Sequence, residues 1–253
     1  MITSVQNERV KLANALITGA KNRRKEGKIA LEGVRLIHDA IERGGYTPDY
    51  ILYDPQQVNV QALQPLTNQL FEASAEVIKH VSATEQPQGI IGIFPMPIAK
   101  LPTKPAQILI LDHLRDPGNL GTILRTAAGA GVDAVLLSPG CVDLYNDKVL
   151  RGGMGAHFRL SIAERSWQDI RDYVGDAPVY LAEMVGDVAY DMVDWTVQHA
   201  LIIGSEADGA SAEAEAMATA RVYIPMASET ESLNAAVAAG VLMFEAARQC
   251  GRL

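Results

Sequence analysis

The sequence predicts an α/β fold in which a C-terminal parallel sheet, with helices on both faces, follows a smaller N-terminal α/β module. Beyond residue 106, short continuous apolar runs such as Ile108–Leu111 alternate with segments of helical spacing. This pattern is expected for parallel strands that are covered on both faces. Four prolines precede the region, at positions 95, 97, 102 and 105, and proline is disfavoured in helix interiors and central strands. We therefore predict an N-terminal domain at 1–95, a proline-rich linker at 96–105 and a C-terminal domain at 106–253.

The N-terminal module begins with two amphipathic segments. Their apolar spacing predicts helices over 8–19 and 32–43, and Gly44 and Gly45 end the second. The β-type run Tyr50–Tyr53 predicts a strand. After it we expect a polar helical segment to about Leu70, then small strand-like or buried pieces at Val77–Val81 and Gly89–Phe94.

Alternation of strands and helices continues through the C-terminal region. Strands are predicted at Ile108–Leu111, Ala134–Leu137, Val179–Ala182, Ala200–Ile203 and Val222–Ile224. Helices are predicted at Asn119–Gly131, Lys148–Ala156, Trp167–Val174, Ser211–Ala220 and Leu233–Gln249. Ligands of such sheets bind beyond the carboxyl ends of the strands, so the loops that follow the strands are the candidate sites.

Composition narrows the class of protein. The chain has 253 residues, of which 48% are hydrophobic and 21% charged, as in folded globular domains. The apolar run Ala235–Phe244 is about half as long as a membrane-spanning helix requires, and the N-terminus lacks a secretory signal pattern. Cys141 and Cys250 are too few for a disulfide framework or a zinc site. We therefore expect a cytoplasmic protein without a membrane segment, a disulfide or a metal.

Charge is distributed unevenly along the chain. The net charge is −8, yet residues 1–35 carry an excess of Lys and Arg, and residues 160–219 carry a larger excess of Asp and Glu. If the protein binds nucleic acid, it does so locally, through clustered cations. The basic run at residues 21–25 is the candidate, although such a run is also typical of a solvated helix face. The candidate RNA contacts are Arg23, Arg24, Lys25 and Arg35.

Three loops after strands contain residues with conformational or polar roles. In the first, Pro117 and Gly118 form a turn, Asn119 is placed to cap the next helix, and Arg125 lies nearly two turns further on. A capped helix with a surface arginine would produce the same pattern, so this loop alone leaves the choice open.

The second loop, residues 203–211, contains Gly204 and Gly209 and opens into a helix whose free N–H groups could hold an anion. It lacks the Lys-Ser/Thr of a nucleotide phosphate loop. Residues 129–134 match the dinucleotide fingerprint in letters only, because they follow a helix and precede a strand.

The third loop, residues 224–234, ends with Ser232 and Asn234 and opens the closing helix. Ser232 alone would be interpreted as a helix cap. The first turns of that helix are built from alanines and Gly240, and such small residues allow another backbone to approach closely.

Together the three loops resemble the SpoU (TrmH-like) family of RNA 2′-O-ribose methyltransferases, within the SPOUT superfamily. The resemblance spans roughly residues 106–250, and residues 30–36 and 86–89 resemble the smaller substrate-binding domain of the family. Asp208 departs from it, because relatives usually have a small or basic residue there. The matching positions are Asn119, Arg125, Gly204, Glu206, Ile224–Met226, Ser232–Asn234 and Val237–Gly240.

The resemblance implies an S-adenosylmethionine-dependent enzyme with a trefoil knot, one of the rare exceptions to unknotted chains. It implies a cofactor pocket formed by Gly204, Ile224 and Leu233, with Met226 beside it. It implies a homodimer with the closing helix at the two-fold axis, which the small-residue face of Ala235, Ala238, Ala239 and Gly240 would suit. The implied catalytic residues are Arg125, Asn119, Glu206, Ser232 and Asn234.

The implied reaction transfers a methyl group to a ribose 2′-hydroxyl. Since a guanidinium is a poor base, we favour Arg125 as the group that holds the phosphate and polarises the hydroxyl, with proton removal by Arg125 as the alternative. Ribosomal RNA is the expected substrate and transfer RNA the second choice. A non-catalytic RNA-binding module is a further alternative, as is an ordinary doubly wound nucleotide-dependent enzyme, which the failed nucleotide motifs disfavour. The five histidines show no ligand spacing, so we interpret them as structural or solvated.

Overall fold

The computed structural model describes residues 1–61, 63, 68–205, 209–227 and 233–252. The chain divides into two compact units. The N-terminal unit comprises Met1–Ile98 with Tyr145–Arg151, and the C-terminal unit comprises Ala99–Leu144 with Gly152–Leu253. Residues 96–105 contain neither helix nor strand.

The N-terminal unit packs helices against a four-stranded mixed sheet. Its helices are α1 (Glu8–Thr18), α2 (Ala20–Glu26), α3 (Val34–Glu42) and α4 (Ala75–Val81). Its strands are β1 (Lys28–Glu32), β2 (Tyr50–Tyr53), β3 (Leu70–Glu72) and β4 (Ile90–Pro95), in the order β1-β4-β2-β3. β4 is antiparallel to both β1 and β2, while β2 and β3 are parallel. The core lies between α1, α4 and the sheet.

Several predictions for this unit are wrong. The second predicted helix begins at Val34 and not at residue 32, because Lys28–Glu32 pairs with β4 and Gly33 turns the chain with φ +103°. The segment Val77–Val81 is buried at Val77, Ile78 and Val81, as one alternative expected, but it belongs to a helix and not to a strand. Ser74 Oγ caps this helix by accepting from Val77 N. The helix expected before Leu70 is absent from residues 54–60, where 55–57 form a turn, and the described residues 61, 63, 68 and 69 belong to 3₁₀ turns. The strand predictions at residues 50–53 and 89–94 are confirmed.

The C-terminal unit is built on a seven-stranded sheet in which every pairing is parallel. The strands lie in the order β7-β6-β5-β10-β8-β11-β9. They are β5 (Gln107–Leu111), β6 (Ala134–Leu137), β7 (Ile162–Glu164), β8 (Val179–Ala182), β9 (Val188–Ala189), β10 (His199–Ile203) and β11 (Ala220–Tyr223). The helices of this unit are α5 (Pro117–Ala130), α7 (Trp167–Val174), α8 (Ala212–Met217) and α9 (Ala235–Gln249). A further helix, α6 (Asp147–Gly153), has its residues up to Arg151 in the N-terminal unit. The predicted α/β class with a parallel C-terminal sheet is confirmed.

Burial explains why these strands were visible in the sequence. Every residue of β5, β6 and β10 is buried. Each of these strands is therefore a continuous apolar run, except for Gln107 at the start of β5 and His199 at the start of β10. The short strands β7 and β9 were not predicted. Helix α9 begins at Ala235 and not at Leu233, because Asn234 is its N-cap.

The small-residue face of α9 packs within its own chain. Ala235 and Ala239 are buried, and a Cβ added to Gly240 would lie 3.6 Å from Thr126 Cγ2 of α5. The ring of Phe244 lies equally close to Gly129 of α5, 3.7 Å from a Cβ added there. The small residues therefore accommodate α5, and a partner subunit would have to use other residues of α9.

Within the described part of the chain, none of the helices combines the length and the apolarity needed to cross a bilayer.

Candidate active site

A cavity lies at the carboxyl ends of three neighbouring strands, β10, β8 and β11. Its volume is about 640 Å³, within the usual range of small-molecule sites. The wall is mostly apolar, and residues from the segments that follow the three strands contribute to it. The lining residues are Ala182–Val185, Ile203–Ser205, Gly209, Ala210, Val222–Met226, Leu233, Ala235, Ala238 and Leu242.

The four residues predicted to hold a cofactor all lie on the wall of this cavity: Gly204, Ile224, Met226 and Leu233. Gly204 and Ile224 are the first residues beyond β10 and β11. The backbone of Gly204 lies close to the end of the same loop, since a Cβ there would lie 3.1 Å from the carbonyl oxygen of Gly209. Met226 is 41% exposed.

Two further parts of the wall were missed from the sequence. Ala182–Val185 follows β8, and Leu242 comes from α9. The strand β8 was predicted correctly, and the rule that sites lie at the carboxyl ends of strands would have pointed to the segment after it. That segment has one glycine, Gly186, and no asparagine, and its cavity-lining residues Glu183–Val185 carry none of the signals that drew attention to the other loops.

Asn119 and Asn234 meet beside the cavity. Asn234 Nδ2 donates to Asn119 Oδ1 at 3.0 Å, although Asn119 lies in the first turn of α5 and Asn234 immediately precedes α9. Asn234 is also the N-cap of α9, because its Oδ1 accepts from Ala236 N at 3.0 Å and Val237 N at 3.3 Å. Its neighbours Leu233 and Ala235 both line the cavity, so the asparagine pair lies at the edge of the cavity.

The predicted capping role of Asn119 is wrong. Asp116 is the N-cap of α5, and its Oδ1 accepts from Asn119 N at 2.7 Å. Aspartate before Pro117 provides the cap, which leaves the Asn119 side chain to pair with Asn234.

Arg125 lies on α5, is exposed, and has no hydrogen bond or ion pair with another described residue. The structure does not bring its guanidinium into contact with the asparagine pair. Glu206, Asp208 and Ser232 lie outside the described residues.

A buried carboxylate of this region was not predicted as part of the site. Asp112 has no exposed surface and follows β5 directly. Its Oδ2 accepts from Ser211 N at 2.7 Å, which joins the first predicted loop to the end of the second.

The predicted RNA contacts divide into two groups. Arg23 is only 4% exposed, and its guanidinium donates to the carbonyls of Leu16 and Ile17 at the end of α1. Arg23 therefore completes the C-terminus of α1. Arg24, Lys25 and Arg35 are exposed.

Two histidines of the C-terminal unit are buried. Burial lowers the pKa of His157 to about 4, although its Nε2 donates to the Leu144 carbonyl at 3.0 Å. Burial also lowers the pKa of His199. In the described ranges no group of three or more His, Cys, Asp or Glu residues could hold a metal ion, and Cys141 and Cys250 are free thiols.

Comparison with known proteins gives consistent matches along most of the chain. Residues 106–244 match the model of the SpoU rRNA Methylase family, and residues 7–92 match an MRM3-like substrate binding domain. The mouse (Mus musculus) protein named rRNA methyltransferase 3, mitochondrial, is 37% identical over 90% of this chain and 69% of its own. The Bacillus subtilis (strain 168) 23S rRNA (guanosine(2553)-2′-O)-methyltransferase RlmP is 32% identical over 96% of this chain and 97% of its own. The crystal structure of an AdoMet-bound rRNA methyltransferase from Sinorhizobium meliloti matches with a TM-score of 0.87 and 31% identity, over 98% of this chain and 97% of that one.

Proposed function

The chain belongs to the SpoU rRNA Methylase family, and from this premise we propose that it transfers a methyl group from S-adenosylmethionine to a ribose 2′-hydroxyl of ribosomal RNA. The observation that carries the proposal is the Asn119–Asn234 pair at the edge of the cavity. Polar amides beside an apolar cavity can orient a nucleophile next to a bound small molecule. The relatives from mouse and B. subtilis support ribosomal RNA as the substrate.

The cavity fits S-adenosylmethionine. Its volume of about 640 Å³ suits a molecule of that size, and its wall combines apolar side chains with two glycines, Gly204 and Gly209. Gly204, Ile224 and Leu233 would hold the adenosine part, with Met226 beside it. When bound, this cofactor supplies a methyl group that its sulfonium already activates.

The residues of the chain would then have to position the hydroxyl and help remove its proton. Asn234 fixes the orientation of the Asn119 amide. The Oδ1 of Asn234 accepts from the first turn of α9, so its Nδ2 is the atom that faces Asn119 and donates to Asn119 Oδ1. The exposed guanidinium of Arg125 is suited to an RNA phosphate and to polarising the hydroxyl, since it keeps its proton in proteins. Roles for Glu206 and Ser232 in the same step rest on the family resemblance alone.

We further propose a homodimer, a trefoil knot and a cytoplasmic location. Val237 and Phe244 of α9 are 52% and 41% exposed and lie two turns apart, which forms an apolar stripe suited to a second subunit. The insertion of β10 between β5 and β8, which both precede it in the chain, supports a knotted path.

The two free thiols support a reducing compartment. The N-terminal unit would bind RNA through Arg24, Lys25 and Arg35.

Replacement of Arg125 tests the function. Arg125→Ala should lower methyl transfer to ribosomal RNA by at least about a hundredfold, with unchanged affinity for S-adenosylmethionine, and Arg125→Lys should restore little. Arg171→Ala, an exposed arginine of α7, is the matched control. Turnover should be measured with saturating RNA and cofactor, and the product mapped for 2′-O-methyl groups. Equal turnover in the two alanine variants would remove Arg125 from the mechanism, and a wild-type protein that methylates no RNA would refute the function.

A further inference from the structure

Asp112 is a buried carboxylate with partners in three different segments. Its Oδ1 accepts from Ser138 Oγ, after β6, at 3.0 Å and from His113 Nδ1 at 2.9 Å. Its Oδ2 accepts from Ser211 N, at the start of α8, at 2.7 Å. Burial of a carboxylate is unfavourable unless hydrogen bonds compensate it, and these three bonds supply the compensation.

Asp112 also holds both ends of one loop of the cavity. Its backbone N donates to Ile203 O at 2.9 Å, where β10 ends and the loop begins. Its side chain accepts from Ser211 N, where the loop ends. Between these points Ser205 and Gly209 exchange two backbone hydrogen bonds, at 3.1 and 3.0 Å. We call the described residues Gly204, Ser205, Gly209 and Ala210 the cofactor loop, because all four line the cavity.

The same residue begins the segment that leads to Asn119. His113 follows it with a left-handed φ of +50°, and its N–H donates to Ser138 Oγ at 3.2 Å. The ring of His113 fills the space beside Gly140, where a Cβ would lie 2.3 Å from His113 Cδ2. The start of the segment is therefore fixed by Asp112, Ser138 and Gly140 together.

We propose that Asp112 is a positioning residue for methyl transfer, which holds the cofactor loop in register with the segment that carries Asn119. This inference rests on the proposed function. An apolar side chain could fill the same buried space, and replacement of buried ionic groups by apolar ones is often neutral or stabilising. What an apolar side chain cannot supply is acceptors for His113, Ser138 and Ser211 at once.

The bond from Ser211 N to Asp112 can be removed without touching the carboxylate. Ser211 has φ −72°, which proline can adopt, so Ser211→Pro deletes the N–H donor. Ser211→Ala is the matched control, because it keeps the N–H and loses the same capping hydroxyl, which accepts from Ala214 N. We expect Ser211→Pro to bind S-adenosylmethionine at least about tenfold more weakly than Ser211→Ala in calorimetry.

Substitution of Asp112 itself tests the link to Asn119. Asp112→Ala should lose at least about tenfold in kcat even with saturating S-adenosylmethionine, because the segment leading to Asn119 is released. Asp112→Asn should recover to within about threefold of wild type, since its oxygen can accept from Ser211 N and its amide can donate to Ser138 Oγ. Ser166→Ala, which removes the cap of α7, controls for a general loss of stability.

The outcomes separate the inference from the function on which it rests. Equal cofactor affinity in Ser211→Pro and Ser211→Ala, or an Asp112→Asn protein as slow as Asp112→Ala, would overturn the positioning role while wild-type activity stands. A folded wild-type protein that fails to bind S-adenosylmethionine would overturn the proposed function and this inference with it. Circular dichroism of each variant identifies those that fold. The comparison of Ser211→Pro with Ser211→Ala and the comparison of Asp112→Ala with Asp112→Asn are independent tests.

Discussion

The two units of the chain both carry buried carboxylates at strand ends, and these carboxylates join different numbers of chain segments. In the C-terminal unit all strands are parallel, so the segments after β5, β10 and β11 begin at one edge, and Asn119 meets Asn234 across 115 residues of sequence. In the N-terminal unit β1, β2 and β3 run in one direction and β4 alone is antiparallel, so the segments after β1, β2 and β3 also begin at one edge, beside the start of β4. Both sheets therefore bring distant segments together, and the units differ in how many segments one buried carboxylate joins.

One buried carboxylate in each unit illustrates this contrast. Glu32, at the end of β1, accepts from Ser82 Oγ at 2.6 Å and from Thr84 Oγ1 at 3.1 Å, and both partners belong to one loop. Asp112, just after β5, has partners after β6 and before α8. The same chemical group orders a single loop in the mixed sheet and joins several strand ends in the parallel one.

Acid should distinguish the two units most strongly. His157 and His199 of the C-terminal unit are buried, while His38 and His80 of the N-terminal unit are exposed. The pKa of His157 in the folded protein is lowered from 6.5 to about 4, so the unfolded chain takes up its proton first. The contribution of neutral His157 to stability is complete above pH 6.5 and is lost as the pH falls towards 4, by about 3 kcal/mol in all.

Urea unfolding followed by tryptophan fluorescence measures this loss in the right unit, because both tryptophans, Trp167 and Trp195, belong to the C-terminal unit. The unfolding free energy should fall between pH 6.5 and 4 in the wild type and fall less in His157→Gln, which cannot be protonated. Parallel pH profiles for the two proteins would show that burial of His157 does not create the acid sensitivity of this unit.

The contrast also explains what the sequence could predict. The buried strands β5, β6 and β10 were found because a strand covered on both faces is a continuous apolar run. The cavity residues Gly204 and Leu233 could be proposed because the loops that carry them follow such strands. Asp112 could not be recognised, since its partners Ser138 and Ser211 lie 26 and 99 residues away, and nothing local marks a carboxylate as buried.

The N-terminal unit was predicted less well because its elements depend on local polar contacts. Helix α2 has no apolar periodicity, and the one buried side chain among its residues is Arg23. From the sequence alone, an arginine in a basic run is expected to be solvated or to contact a phosphate. Its hydrogen bonds to the end of α1 become visible only when α1 and α2 are placed together.

Arg23 and its neighbours provide the next test of the comparison. Arg23→Ala should lower the free energy of unfolding of the N-terminal unit by about 2 kcal/mol, because the carbonyls of Leu16 and Ile17 lose a charged donor. Arg24→Ala and Lys25→Ala change exposed side chains of the same helix and should lower the affinity for RNA while leaving stability nearly unchanged. Chemical unfolding followed by circular dichroism measures the loss of stability in Arg23→Ala.

The second effect appears in the salt dependence of RNA binding. Loss of both Arg24 and Lys25 should reduce the slope of log affinity against log salt by about two charges, and Arg23→Ala should leave that slope unchanged. A slope that Arg23→Ala reduces as much as the other two would restore Arg23 as a phosphate contact.

The smallest expected effect separates the two tasks of Asn234, which caps α9 and donates to Asn119. Asn234→Asp keeps the cap, because aspartate is an equally good N-cap and its charge is favourable at a helix N-terminus. It loses the Nδ2 donor, so the Asn119 amide must turn its own N–H towards the new carboxylate and present its oxygen to the site. We expect an unchanged free energy of unfolding and a turnover about tenfold lower, equivalent to about 1.4 kcal/mol. Asn234→Ala loses both the cap and the donor to Asn119, so this variant should be less stable as well as slower. Wild-type turnover in Asn234→Asp would show that the contact between Asn234 and Asn119 does not orient Asn119 for the reaction.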